Sequence, residues 1–150
     1  MAYFPTSEQV AVAWLKTIDG VPVNGVATTL PGDNSTWAAS GFVTVTTVGG
    51  SPGVDTPLSH PVVQVDCWAC NVNSQKPPWG KAGSLASLIK HACYRDPFPQ
   101  VVLDLGAQFH QAMVQAVYAV TEPRRLTDDP ADFARVSMDL LVHWVIKERS

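Results

Sequence analysis

The chain has 150 residues, of which 46% are apolar and 15% charged, with a net charge of −3. That length suits one domain, residues 1–150, with room for a sizeable core, and the weak acidity gives no bulk electrostatic pull toward nucleic acid. No apolar run reaches membrane-spanning length, so no membrane partner is expected.

The charged fraction is well under the roughly one quarter usual for globular chains, so much of the surface must be uncharged. Neutral polar residues can cover such a surface, or other subunits can bury it. The five tryptophans and twelve prolines favour the second, because aromatic residues are enriched at interfaces. The opening Met1-Ala2-Tyr3-Phe4-Pro5 lacks the basic and apolar regions of a signal peptide. Together with an odd number of cysteines, this leads to an expectation of reduced thiols in a cytoplasm.

Thr6-Ser7-Glu8-Gln9 has the spacing of a capping box, with Thr6 as N-cap. Val10, Trp14 and Ile18, flanked by Ala11 and Leu15, give the helix one apolar face, and Asp19-Gly20 ends it. Val21 to Ser40 is rich in turn residues, with room for a short extended piece between Val26 and Leu30. Phe42 to Val48 is β-branched and reads as a strand. Gly49 to Pro57 reads as a long loop into an antiparallel strand that starts near Pro61.

In that strand Val63, Val65, Cys67 and Ala69 alternate with Gln64, Asp66 and Trp68. A polar, proline-rich hinge from Asn71 to Gly80 follows. Then Leu85, Leu88, Ile89 and Ala92 mark a helix over Lys81 to Tyr94. Asp96-Pro97-Phe98-Pro99 breaks the chain. Val101 to Gly106 reads as a strand or an irregular packed stretch, and Ala112 to Thr121 as a strand. Glu122 to Pro130 is a charged connector. Phe133 to Lys147 alternates along its length, with Ala134, Val136, Met138, Leu140, Val142, Trp144 and Ile146 on one face. No internal repeat is present. The expected fold is α+β: two layers, a mainly antiparallel sheet of about four to five strands, and two helices packed on one face.

Candidate chemistry is sparse. Cys67-Trp68-Ala69-Cys70 has redox spacing, but it falls on a strand end, where residues three apart point to opposite faces. No second such pair completes a zinc site, and Cys93 is distant. His60, His91, His110 and His143 are scattered without a nucleophile signature. Asp128, Asp129, Asp132 and Asp139 lack the spacing of a calcium loop. Gly49-Gly50-Ser51-Pro52-Gly53 has no lysine or following helix, so it is not a phosphate cradle. Lys76, Lys81 and Lys90 with Trp79 form a weakly basic patch, too sparse for nucleic acid and suited to a subunit contact or a solvated face. No catalytic residue, metal or cofactor is assigned.

Several features occur in a telling order. A short first helix and a loop with Pro31-Gly32 precede strands that flank Gly49-Gly50. Val62-Val63-Gln64-Val65-Asp66-Cys67-Trp68-Ala69 and a helix bearing Ala82-Gly83-Ser84-Leu85-Ala86 follow. From Val10 to Tyr94 this resembles the tail terminator proteins of long-tailed bacteriophages that infect actinobacteria. The resemblance implies a non-enzymatic virion subunit, assembled in the host cytoplasm and resident in the tail or neck. It implies a homo-hexameric ring that caps the tail tube, stops its polymerisation and presents a joining surface to the head-side connector or stopper protein. DNA would pass the lumen without specific binding. Trp37, Gly50, Val54, Asp55, Trp79, Lys81, Arg124 and Arg125 are the residues assigned to subunit or partner contacts. Two rival readings stand: another neck component, such as a head-completion or stopper protein, and a small thiol-redox or metal-binding domain around Cys67, Cys70 and Cys93.

Overall fold

The computed structural model describes residues 2–54, 57–71, 76–94, 100–130 and 132–148. Helix α1 spans Ser7–Leu15. Strand β1 is Val26–Ala27, and one short 3-10 turn, Asn34–Thr36, precedes β2, Phe42–Pro52. Strand β3 is Leu58–Cys70 and helix α2 is Trp79–Ala92. Strands β4, Val101–Leu103, β5, Gln111–Ala119, β6, Arg124–Leu126, and β7, Phe133–Lys147, complete the described elements.

The strands form one sheet in the order β1-β2-β3-β7-β5-β4, with β6 also paired to β7. β1 runs parallel to β2 and every other pairing is antiparallel. Strand β7 is the spine. One side pairs with β3 from Leu58↔Val145 to Cys70↔Phe133. The other side pairs with β5 along its C-terminal half and with β6 along its N-terminal half. Between those two strands, Val120 N–H donates to Asp139 O at 2.9 Å, and Asp139 N–H donates to Thr121 Oγ1 at 2.9 Å. β5 and β6 therefore act as a single interrupted strand along one edge of β7.

The expectation of a two-layer fold on four to five antiparallel strands is overturned. Over the described residues the chain is mostly β: seven strands in a curled, mixed half-barrel, with two helices. Three local features explain the difference. The extended piece after Gly25 adds a parallel edge, with Val43 N–H donating to Gly25 O at 2.7 Å. The charged connector supplies β6, because Arg124, Arg125 and Leu126 find register against Ser137, Val136 and Arg135. Helix α1 touches both β1 and β4, the two ends of the sheet order, so the sheet wraps around it.

The hairpin also differs from expectation. β2 does not end at Val48 but continues through Gly49 and Gly50 to Pro52, paired with β3. The register shifts between Thr47 and Gly49, a bulge that leaves Val48 half exposed. Gly50 has φ +90°, and a Cβ there would collide with the His60 carbonyl oxygen across the ladder. A run that reads as loop is thus a strand with a bulge at Val48, and just past the bulge the ladder opposite Pro61 holds a left-handed residue that glycine supplies.

The main core lies inside the curl. Val43, Val45, Val63, Val65, Cys67, Met138, Leu140 and Val142 line it from the sheet; Val10, Trp14, Leu15, Ala82, Ala86 and Ile89 come from the helices. At nine residues α1 is too short to persist alone. Its capping box, Gln9 N–H to Thr6 Oγ1 at 3.2 Å and Thr6 N–H to Gln9 Oε1 at 2.8 Å, contributes about 1 kcal/mol. Burying Val10, Trp14 and Leu15 contributes roughly 1.5–3 kcal/mol each, so docking dominates. Trp144 Nε1–H also donates to Ser7 Oγ at 3.1 Å, tying β7 to the start of α1.

Gly50→Ala should destabilise the chain by about 1–3 kcal/mol, because it forces both strain and a backbone clash. Gly49→Ala, where nothing lies within 4 Å of a Cβ, should cost little. Urea unfolding of the two variants checks this; equal losses would mean the close ladder at Gly50 is not the constraint.

Candidate functional site

The assigned contact residues fall at two ends of the sheet. At one end β2 begins, β3 stops and β7 begins, bringing Phe42, Trp68, Cys70 and Phe133 together on the side away from the main core. Trp37 closes this second cluster and is 3% exposed. Its ring lies 6.1 Å from Phe42, edge-on, and 6.0 Å from Phe133, stacked. Trp37 is thus packed within its own chain, and its Nε1–H finds no acceptor among the described residues.

Lys81, in the first turn of α2, donates from Nζ to the carbonyls of Ala38 and Ala39, pinning the turn that carries Trp37. Trp79 is half-buried at the start of α2, and the Arg125 guanidinium sits 4.9 Å above its ring. This pairing is a cation–π contact between α2 and β6. Arg124 donates from Nη1 to Thr121 Oγ1 at 3.2 Å and faces Asp139 Oδ1 at 3.9 Å. So this end gathers Trp37, Lys81, Trp79, Arg124 and Arg125. Gly50 and Val54 lie away from it on the β2–β3 hairpin, and Asp55 lies outside the described residues.

The hairpin end carries the assigned Val54 and, beside it, surface that the sequence reading missed. Val54 is 97% exposed. Leu58 pairs with Val145 and Gln111 with Lys147, so the start of β5 lies at the same end. There the N-terminal segment is tied down by Tyr3 N–H to Gln108 O at 2.7 Å and His110 N–H to Tyr3 O at 2.9 Å. Tyr3 and Phe4, 68% and 62% exposed, lean on Phe109 and His110. Two aromatic residues ahead of a helix cap, outside the helix's own apolar period, were the available signal. Beside them, a groove of about 490 Å³ opens between α1, β1 and the segment after β4, lined by Val12, Ala13, Val26, Leu105 and Phe109.

Much of the charge on the far face of the sheet is satisfied within the chain. Arg135 donates from Nε to Asp129 Oδ2 at 3.0 Å, holds Asp66 Oδ2 at 3.6 Å and covers the Trp68 ring at 4.8 Å. Trp68 Nε1–H donates to Thr44 Oγ1 at 2.9 Å.

The thiols do not assemble. Cys67 lies in the main core and Cys70 in the second cluster, on opposite faces of β3 as period-2 alternation requires. Burial, with Asp66 adding to it, pushes the Cys67 thiol far above its ordinary range. Burial and then Asp132 raise Cys70. Cys93 Sγ donates to Ile89 O at 3.5 Å inside α2. Among the described residues no three His, Cys, Asp or Glu side chains group to hold a metal.

Trp37→Phe should leave stability almost unchanged, since it removes an unpaired buried N–H, while Trp37→Ala should cost about 3–5 kcal/mol; thermal unfolding checks both. Cys67 should resist iodoacetamide in the native protein and react on unfolding, read by mass spectrometry. Alanine is the apt replacement for the thiols, because serine at Cys67 would bury a hydroxyl among valines.

No protein-family profile and no curated protein matches this sequence. A chain in a solved structure, the virion of a native gene transfer agent particle, is similar in fold. The match has a TM-score of 0.51 at 13% identity and covers 93% of this chain and 90% of that one. At that identity the likeness establishes a shared fold, spanning nearly the whole of both chains.

Proposed function

We propose that this chain is a non-enzymatic structural subunit of a phage-like virion, and within it a tail terminator: a hexameric ring that caps the tail tube, stops its growth and offers the head-side connector a joining surface. The virion-subunit part of this reading is supported by the fold likeness, over nearly the full length of both chains, to a component of a gene transfer agent virion, and the terminator part by the sequence resemblance from Val10 to Tyr94. The surface is consistent with it. Two separated ends bear exposed aromatic, apolar or cationic groups: Tyr3, Phe4 and Val54 at one, Arg124 and Arg125 at the other. A subunit stacked between a tube below and a connector above needs two such ends. Neighbours in a ring need a further, heterologous contact that closes by rotation. The cysteines, the strongest candidates for chemistry in the sequence, lie buried and apart.

The test is assembly. The purified chain should form multimers in solution, hexamers by light scattering, and should cap purified tail tubes in electron micrographs. Val54→Asp and Arg125→Glu should each weaken a contact at least about tenfold, and the exposed Val54 site should leave the melting temperature nearly unchanged. Rings that join heads but ignore tubes would favour a stopper or head-completion role. A chain that stays monomeric at every concentration and binds neither tubes nor heads would end the proposal.

A further inference from the structure

One titratable cluster plays no part in the contacts described so far. On the face of the sheet away from the helices, Ser59 pairs with Trp144 and Val62 with Leu141, which sets His60 of β3 beside His143 of β7. The two imidazoles meet edge to face, with centroids 4.5 Å apart and planes at 85°. On the other flank Tyr118 of β5 reaches over, its hydroxyl 3.1 Å from His143 Nε2. Three adjacent strands are thus bridged by three titratable side chains, both imidazoles half-buried.

Among the described residues, none adjoining the pair is a counter-charge. Along β7 the neighbours on this face are Leu141 and Val145, and the next charges, four residues away on either side, are Asp139, which faces Arg124, and the exposed cation Lys147. β5 places Ala116 opposite His143, and β2 places Ser51 opposite His60. Glu8 of α1 accepts from Thr47 N–H on the helix side of the sheet.

We propose that His60, His143 and Tyr118 form an acid-sensitive clasp across β3, β7 and β5, closed while the two imidazoles share at most one proton and opened by a second. With His143 Nε2 unprotonated, the Tyr118 hydroxyl donates to it and the three strands are tied. A first proton is tolerated because one ring remains neutral. A second places two like charges a few ångströms apart with no carboxylate to separate them. The rings must part, and the pair leaves its half-buried position for water. The direction for His143 agrees: burial first, and then His60, hold it below the ordinary imidazole range.

The sign follows from that depression. Above the unfolded-state value neither folded nor unfolded His143 is charged and its contribution is full. As pH falls, the unfolded chain takes the proton first, so stability declines until the folded value is passed. The charge arrives among Val62, Leu141 and Val145, so acid would also make this sheet face harder to cover. The clasp itself does not depend on the assembly reading.

The experiment is a pH titration of imidazole resonances by NMR in the full chain, with thermal unfolding alongside. In the wild type, His143 should titrate below the free-imidazole value. In His60→Gln its midpoint should move up, and the fall in melting temperature between about pH 7.5 and about pH 5 should shrink by a few degrees. Tyr118→Phe should lose the hydroxyl contact yet keep the dependence of His143 on His60. His60→Asn is the second variant should glutamine prevent folding. A His143 midpoint indifferent to residue 60, or identical acid losses in wild type and variant, would overturn the clasp.

Discussion

Everything in this molecule hangs on β7. It is the longest strand, with fifteen residues, and it is paired on both sides: against β3 along one edge, and against β5 and β6 along the other. Its inward side chains, from Ala134 through Leu140 to Trp144, are buried, with α2 packed against the strand and Trp144 hydrogen-bonded to Ser7 of α1. Such a strand pairs its backbone on both edges and buries half its side chains at once, and β3, β5 and β6 take their register from it directly. The curl then follows from α1, which lies in the hollow and reaches both sheet edges.

How much of this could be read from the residues depended on whether a signal was local. The alternation from Phe133 to Lys147 is local, and the strand has those bounds. The capping box at Thr6 and Gln9 is local too, and it is present. The hairpin was hidden because Gly49-Gly50-Ser51-Pro52-Gly53 carries turn chemistry, while the need for a left-handed glycine arises only from the ladder to His60 and Pro61. Strand β6 was hidden for a related reason: Pro123-Arg124-Arg125 has no strand pattern of its own and pairs only because β7 extends past the end of β5. The extended piece at Val26 was legible but its parallel pairing to β2 was not, and with β6 missed the strand number and the mixed topology were out of reach.

The candidate surface shows the same division. A tryptophan in a glycine- and serine-rich stretch suggests a contact, yet Trp37 is claimed by Phe42 and Phe133, brought to it by strands far apart in sequence. Trp79 and Arg125 were singled out separately, and only the packing of α2 beside β6 stacks one on the other. Tyr3 and Phe4 drew no attention because nothing in the sequence shows that the N-terminal segment is tied to residues 108–110. The low charged fraction was informative in a different way. Arg135 with Asp66 and Asp129, and Lys90 with Glu122, use part of the limited charge inside the chain, and apolar and aromatic groups stay exposed at the hairpin end.

On the proposed reading, this chain has a sealed side, gathered around β7 and α1, and open ends that other protein subunits would cover. Amide hydrogen exchange, compared between the dilute chain and the chain assembled on tail tubes, tests it most directly. The account predicts equal, strong protection of β7 and of the buried turns of α1 in both states, with new protection confined to the hairpin end, the N-terminal segment and β6. An exchange pattern unchanged by assembly conditions, or new protection confined to β7 and α1, would contradict it.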